Sequence, residues 1–215
     1  MCNLYRLRSS AAEVAAYFRV AAPVASNAGE EVYPGAPGMV IRKSEGQRIM
    51  QSMTWGFPLR LKTMAPTAKP KPVNNIADLT KPMWKGLASK PLWRCLIPLT
   101  AFAEAEGPKG GKTRTWFSVV DQRLFAWAGL WRHSAEWGPV YSGVMTDCNE
   151  AIRPVHDRMP VLLHADEWER WLHGSYDDAL TFQARCFPDN LIAMERTDEL
   201  WVKRKPAAAD QALFQ

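Results

Sequence analysis

Along most of the chain, apolar side chains recur in short runs or in strict alternation, the period of strands rather than of helices. Gly38-Met-Val-Ile-Arg42 and Arg94-Cys-Leu-Ile-Pro98 are short apolar runs, and Thr113-Arg-Thr-Trp-Phe-Ser-Val-Val120 alternates as a half-buried strand does. Phe125 to Trp131 and Val140 to Met145 predict two more strands. Gly107-Pro-Lys-Gly-Gly-Lys112 reads as a hairpin tip joining Phe102–Glu106 to the strand that begins at Thr113. Helical spacing occurs in two places. Ser9 and Ser10 precede Ala11–Phe18 as hydroxyl caps, and Asp166–Leu172 puts Trp168, Trp171 and Leu172 on one stripe. Trp127 and Trp131, like Trp168 and Trp171, fall at core positions. Pro66 to Pro82 is proline-rich and polar, and predicts a long surface loop crossing near any site the strands build. No internal repeat is evident.

A chain of 215 residues, 47% of them hydrophobic, has enough apolar content for one sizeable core and predicts a single domain. We place that domain at residues 1–203. A tail at 204–215, alanine-rich after the basic residues that begin at Lys203, is expected to be partly disordered. Arg6 and Arg8 lead into a short segment broken by Glu13 and Arg19, so no secretory signal is read, and no apolar run is long enough for a membrane span. Cys2, Cys95, Cys148 and Cys186 have no paired spacing, which argues against a zinc site or a disulfide framework and predicts a reducing, cytoplasmic home. The net charge of +5 and pI near 9.1 favour an anionic partner. Neither metal nor cofactor is called for, and a monomer is expected.

Four positions can carry chemistry. If the initiator methionine is trimmed, Cys2 presents an α-amine and a thiol on one carbon skeleton, a 1,2-aminothiol. The amine, with an ordinary pKa of about 7.7 to 8.0, is partly neutral at physiological pH and can attack an aldehyde, while the neighbouring thiolate closes onto the imine as a thiazolidine. An internal cysteine cannot, because its nitrogen is an amide. Val155-His-Asp-Arg-Met-Pro160 sets an imidazole, a carboxylate and a guanidinium together; it reads either as a proton shuttle with a phosphate fork or as a cap and salt-bridge cluster at a strand entrance. Alternation puts Phe102, Glu104 and Glu106 on one face, where a carboxylate in a concave site would have a raised pKa and serve as general acid or base. Asn74 can orient a substrate or hold the amine; Asn-Asn is equally ordinary turn chemistry.

Taken together, Met1-Cys2, Trp55-Gly56, Asn74 to Asp78, Arg94-Cys-Leu-Ile-Pro98 with Phe102 and Glu104, Ala128-Gly-Leu-Trp131 and His156-Asp-Arg-Met-Pro160 resemble the SRAP proteins (SOS-response-associated peptidase, or abasic-site processing) over nearly the whole chain. The resemblance implies a compact α+β fold, a barrel-like mixed β-sheet flanked by helices, with Cys2 at the floor of a positively charged groove for single-stranded DNA. It further implies a covalent crosslink from Cys2 to abasic sites after Met1 removal, with lyase and autopeptidase chemistry attached. Asn74 then matches the positioning asparagine, Glu104 the acid/base for sugar-ring opening, His156 the proton-transfer histidine and Arg158 a phosphate contact. A nucleoid-associated location would follow in a bacterium.

The chain departs from the pattern in several places. Asn3 and Leu4 stand where glycine and arginine are usual, Ile76 where an arginine is, and Ala105 where an aromatic is. Phe57-Pro-Leu-Arg60 follows Trp55-Gly56 without a further tryptophan. Arg6, Arg60, Lys62 and Lys85 are the cations expected to compensate, because neutralising phosphates tolerates different donors. Two other readings remain open: a cysteine-type amide hydrolase using Cys2, His156 and Asn74, and a nucleic-acid-binding module with no chemistry.

Overall fold

The computed structural model describes residues 2–21, 28–60, 63–65 and 67–202; Lys62 and the tail from residue 203 lie outside them. Fifteen strands and four α-helices follow one another. The N-terminal half contains β1 (Tyr5–Arg6), α1 (Ala11–Tyr17), β2 (Glu31–Val32), β3 (Pro37–Ser44), β4 (Gln47–Trp55), β5 (Phe57–Leu59), β6 (Lys71–Val73), β7 (Asn75–Ile76) and α2 (Pro82–Ala88). The C-terminal half contains β8 (Arg94–Leu99), β9 (Ala101–Glu106), β10 (Thr113–Val119), β11 (Phe125–Ser134), β12 (Gly138–Asp147), β13 (Arg158–Pro160), β14 (Leu162–Leu163), α3 (Trp168–His173), α4 (Tyr176–Gln183) and β15 (Ile192–Leu200).

The larger sheet closes on itself, because β12 pairs with both β4 and β11 in the sequence β12-β4-β3-β8-β11, giving the expected barrel-like mixed sheet. Its β12–β4 and β12–β7 pairings are parallel and the rest antiparallel. A second sheet runs β15-β10-β9-β1-β2, so the N-terminal strand is held on both edges: Tyr5 pairs with Phe102 on one side and Val32 on the other.

Alternation divides the barrel strands between two cores. Met39, Ile41, Leu96 and Val144 pack with Val14, Phe18, Trp171 and Phe182 of the helices. Their neighbours Val40, Ile97 and Met145 pack with Cys2, Tyr5, Phe102 and Phe117 of the second sheet. Cys2 therefore belongs to a core and is not a frayed end. Helix α1 starts where Ser10 caps it: the Ser10 hydroxyl accepts from the Glu13 N–H at 3.2 Å and the Glu13 carboxylate accepts from the Ser10 N–H at 2.7 Å.

The predicted strands and both predicted helices are present, with ends shifted by a few residues; residues 165–167 form a 3-10 turn ahead of α3. One expectation fails. The stretch from Pro66 to Pro82 is not a continuous surface loop, since β6 and β7 lie within it and Asn75 and Ile76 are buried. Parallel pairing with β12, Gly143 opposite Asn75 and Val144 opposite Ile76, draws the segment into the sheet. Among the described residues, no helix is long and apolar enough to cross a membrane. All four cysteines are free thiols.

Candidate active site

Cys2 follows from the pairing of β1. The Leu4 carbonyl accepts from the Ala103 N–H at 2.9 Å, anchoring the chain two residues after Cys2 against β9, the strand that carries Glu104. From the other side come the asparagines of the β6–β7 segment. The Cys2 carbonyl accepts from Asn74 Nδ2 at 3.1 Å and from Asn75 Nδ2 at 2.7 Å. Asn74 also donates to Asn3 Oδ1 at 3.0 Å, while its own carbonyl accepts from Trp55 Nε1 and from the Gly143 N–H. The backbone of residue 2 is thus fixed by two amides, and those amides are fixed by the barrel.

The thiol is fully buried and donates to the Leu4 carbonyl at 3.5 Å. Burial pushes its pKa well above the usual thiol value, and the nearby Glu104 charge pushes it the same way. Glu104 is itself 3% exposed, and loss of solvent raises its pKa to about 7, with Asp157 adding to the rise. Near neutrality the carboxyl therefore holds its proton about half the time, as a general acid must.

His156 stands beside it, Nε2 to Glu104 Oε2 at 3.9 Å. Its Nδ1 stands 3.0 Å from both the Arg158 N–H, from which it accepts, and Asp157 Oδ1, so the amide and the carboxylate share that ring nitrogen. Burial lowers the His156 pKa, so the ring is neutral at physiological pH. The turn bearing it is braced: the Cys148 N–H donates to the Asp157 carbonyl, and Asn149 Nδ2 donates to the Phe187 carbonyl.

Cys2, Asn74, Glu104 and His156 thus converge as the sequence predicts. Asn75 was not anticipated; it makes the shorter bond to Cys2 and is 7% exposed. Lys112, read only as part of a hairpin tip, acts electrostatically on His156.

Among the described residues, the predicted phosphate-binding cations Arg158, Arg6, Arg60 and Lys85 are engaged separately. Arg158 Nε donates to the Thr146 carbonyl at 2.9 Å, and Nη2 to those of Ala77 and Met145 at 2.9 and 3.2 Å. Its remaining amino group stands 3.6 Å from Asp147 Oδ1. Arg158 is first a brace between β12 and the Asn74–Ala77 segment. Arg6 is buried, with its guanidinium 3.5 Å over the Trp116 ring and 3.3 Å from Glu31. Arg60 pairs with Glu136 at 2.7 Å, and Lys85 is exposed on α2. Among the described residues, no group of three or more His, Cys, Asp or Glu could hold a metal ion.

The chain has the same fold as a crystal structure of a protein from Bordetella bronchiseptica, with a TM-score of 0.76 at 21% identity, covering 91% of this chain and 99% of that one. A crystal structure of a protein from Bacteroides thetaiotaomicron gives a TM-score of 0.76 at 20% identity over 91% of each. The abasic site processing protein YoqW of Bacillus subtilis is 33% identical over 117 residues, 52% of this chain and 50% of that protein. The abasic site processing protein YobE of the same organism is 30% identical over 120 residues, 52% of each. The chain spans about half the length of these curated relatives. The family model for SOS response associated peptidase (SRAP) matches residues 1–198, and the chain belongs to that family.

Proposed function

We propose that this protein captures abasic sites in single-stranded DNA through the α-amine and thiol of Cys2, once Met1 has been removed. The observation that carries the reading is the double amide clamp on the Cys2 carbonyl, set against the buried Glu104 and the half-buried His156 beside it. A clamp on the carbonyl leaves the amine and thiol of the same residue available for reaction. The names of YoqW and YobE support abasic-site processing as the setting.

In this mechanism Glu104 protonates the ring oxygen of the closed deoxyribose, the bond from that oxygen to the anomeric carbon breaks, and the anomeric hydroxyl passes its proton to His156, which leaves the aldehyde. The neutral Cys2 amine adds to the aldehyde carbon and one water leaves, forming an imine. The thiol sulfur then bonds to that carbon and its proton passes to nitrogen, closing a thiazolidine. If His156 instead takes a proton from the carbon next to the imine, the 3′ phosphate departs, which is the lyase outcome. Self-directed peptidase action at Met1 would expose the amine. A general thiol hydrolase using Cys2, His156 and Asn74 would instead turn over an amide substrate and need no aldehyde. Arg158, through its amino group beside Asp147, and the exposed Lys85 are proposed phosphate contacts.

The test is a denaturing gel of purified protein incubated with single-stranded DNA carrying one abasic site. A heat- and detergent-resistant shifted band is expected, absent with undamaged DNA and absent in Cys2→Ala. A band of wild-type intensity in Cys2→Ala would reassign the chemistry to another amine.

A further inference from the structure

An abasic nucleotide has no base of its own to hold, so a protein that reads it in a single strand needs a grip on its neighbours. Next to Cys2 the fold offers one. A cleft of about 510 Å³ is lined by Asn3, Glu31, Tyr33, Pro34, Trp201 and Val202. Asn3 joins it to the reactive residue, since its side chain shares the Asn74 amide that clamps the Cys2 carbonyl.

The aromatic walls are fixed from behind. The Tyr33 ring is 39% exposed, yet its hydroxyl donates to Glu31 Oε2 at 2.8 Å and accepts from Arg114 Nη2 at 3.0 Å. Arg114 is itself 3% exposed and tied to Glu31 and Glu199. Trp201 is half-buried, packs against Leu4, Ala101, Ala103 and Trp116, and donates its backbone N–H to the Lys112 carbonyl at 2.8 Å. Lys112, the residue whose charge reaches His156, thus ties Trp201 to the site from the other side.

Rigid, partly exposed aromatics are what sequence-tolerant single-strand binding uses, because every base has a face to stack. Resting on the function proposed above, we infer that the cleft walled by Tyr33 and Trp201 receives the nucleobase adjacent to the abasic site. Tyr33 and Trp201 are then binding residues that present the sugar to Cys2, and play no part in bond making.

Crosslinking rates of the full-length protein at subsaturating DNA test this, using one abasic site flanked either by ordinary nucleotides or by base-free spacers. Wild type should slow roughly tenfold on the spacer substrate, as loss of one stacked base implies. Trp201→Ala should slow by a similar factor on the ordinary substrate and no further on the spacer substrate, with Trp201→Phe recovering most of the rate. Equal rates for Trp201→Ala and wild type on ordinary flanks would overturn the inference, as would indifference of wild type to the spacers. A faster Trp201→Ala would mean that the protein's own residues after Val202 fill the cleft, and would overturn it equally. If wild type crosslinked to neither substrate, the abasic-site function would fail; the cleft would then stand or fall on whether Trp201→Ala weakens binding of undamaged single strands by roughly tenfold.

Discussion

Glu104 is where burial and function meet. Its ordinary pKa of 4.5 rises to about 7 in the fold, because the charged form loses solvent. Below about pH 4.5 the group is neutral whether the chain is folded or not, and burial of the charge costs nothing. Between about 4.5 and 7 the unfolded chain releases the proton while the folded one retains it, so stability falls as pH rises; above 7 the loss is complete, on the order of 3 kcal/mol. Glu104→Gln removes this loss. Its urea midpoint should therefore gain on wild type between pH 5 and pH 8, and parallel midpoints would remove the burial argument. Wild type should crosslink more slowly above about pH 7, and the same substitution should slow crosslinking and abolish that decline. Cys2, Asn74, Glu104 and His156 were legible in the sequence because reactive groups are few in kind and their spacing matches a family pattern. Asn75 was not, because neighbours in an extended segment ordinarily face opposite sides, yet Asn74, just before β7, and Asn75, at its start, both reach one carbonyl. The role of Arg158 was also hidden, since a guanidinium that braces carbonyls and one that binds phosphate are spelled alike.

At the level of elements, the helical side of the molecule hangs on Arg94, fully buried at the start of β8. It donates to the Ala88 carbonyl behind α2, to those of Trp171 and Gly174 around the end of α3, and to that of Ser175 ahead of α4. One charge thus supplies donors to carbonyls at the ends of α2 and α3 and ties both to the start of α4. Arg94→Met should lower stability by roughly 3 kcal/mol or more in urea unfolding, with the crosslinking rate of the folded fraction near wild type; a loss below about 1 kcal/mol would show that water replaces the guanidinium. Strands with apolar alternation were readable, whereas β4 and β15 were not. The β3–β4 hairpin turns through Glu45 and Gly46 at φ of 50° and 78°, a two-residue turn whose usual Asn-Gly signal is missing. Strand β15 pairs only with β10, at the sheet edge, and its charged sequence from Ile192 to Leu200 gives no apolar alternation to detect. Strand β7 owes its existence to a partner nearly seventy residues away, a distance that local pattern cannot bridge.

Over the whole molecule, the barrel and the second sheet share one core, and Cys2 is part of it. The reactive terminus is therefore held as firmly as an interior side chain, which suits a residue that must meet a scarce aldehyde in one geometry. The net charge of +5 is not carried by Arg6, Arg60 and Arg114, each of which is paired with a carboxylate, so the excess positive charge lies on other residues. With Ala105 in place of an aromatic, stacking falls instead to Tyr33 and Trp201 beside Asn3. The most direct measurement is tandem mass spectrometry of the N-terminal peptide after reaction with abasic single-stranded DNA. We expect a peptide that begins at Cys2 and carries the sugar on that residue, its mass being that of the two partners less one water, and unchanged by borohydride because no imine remains. A crosslinked peptide still bearing Met1, or an adduct on a lysine, would contradict it.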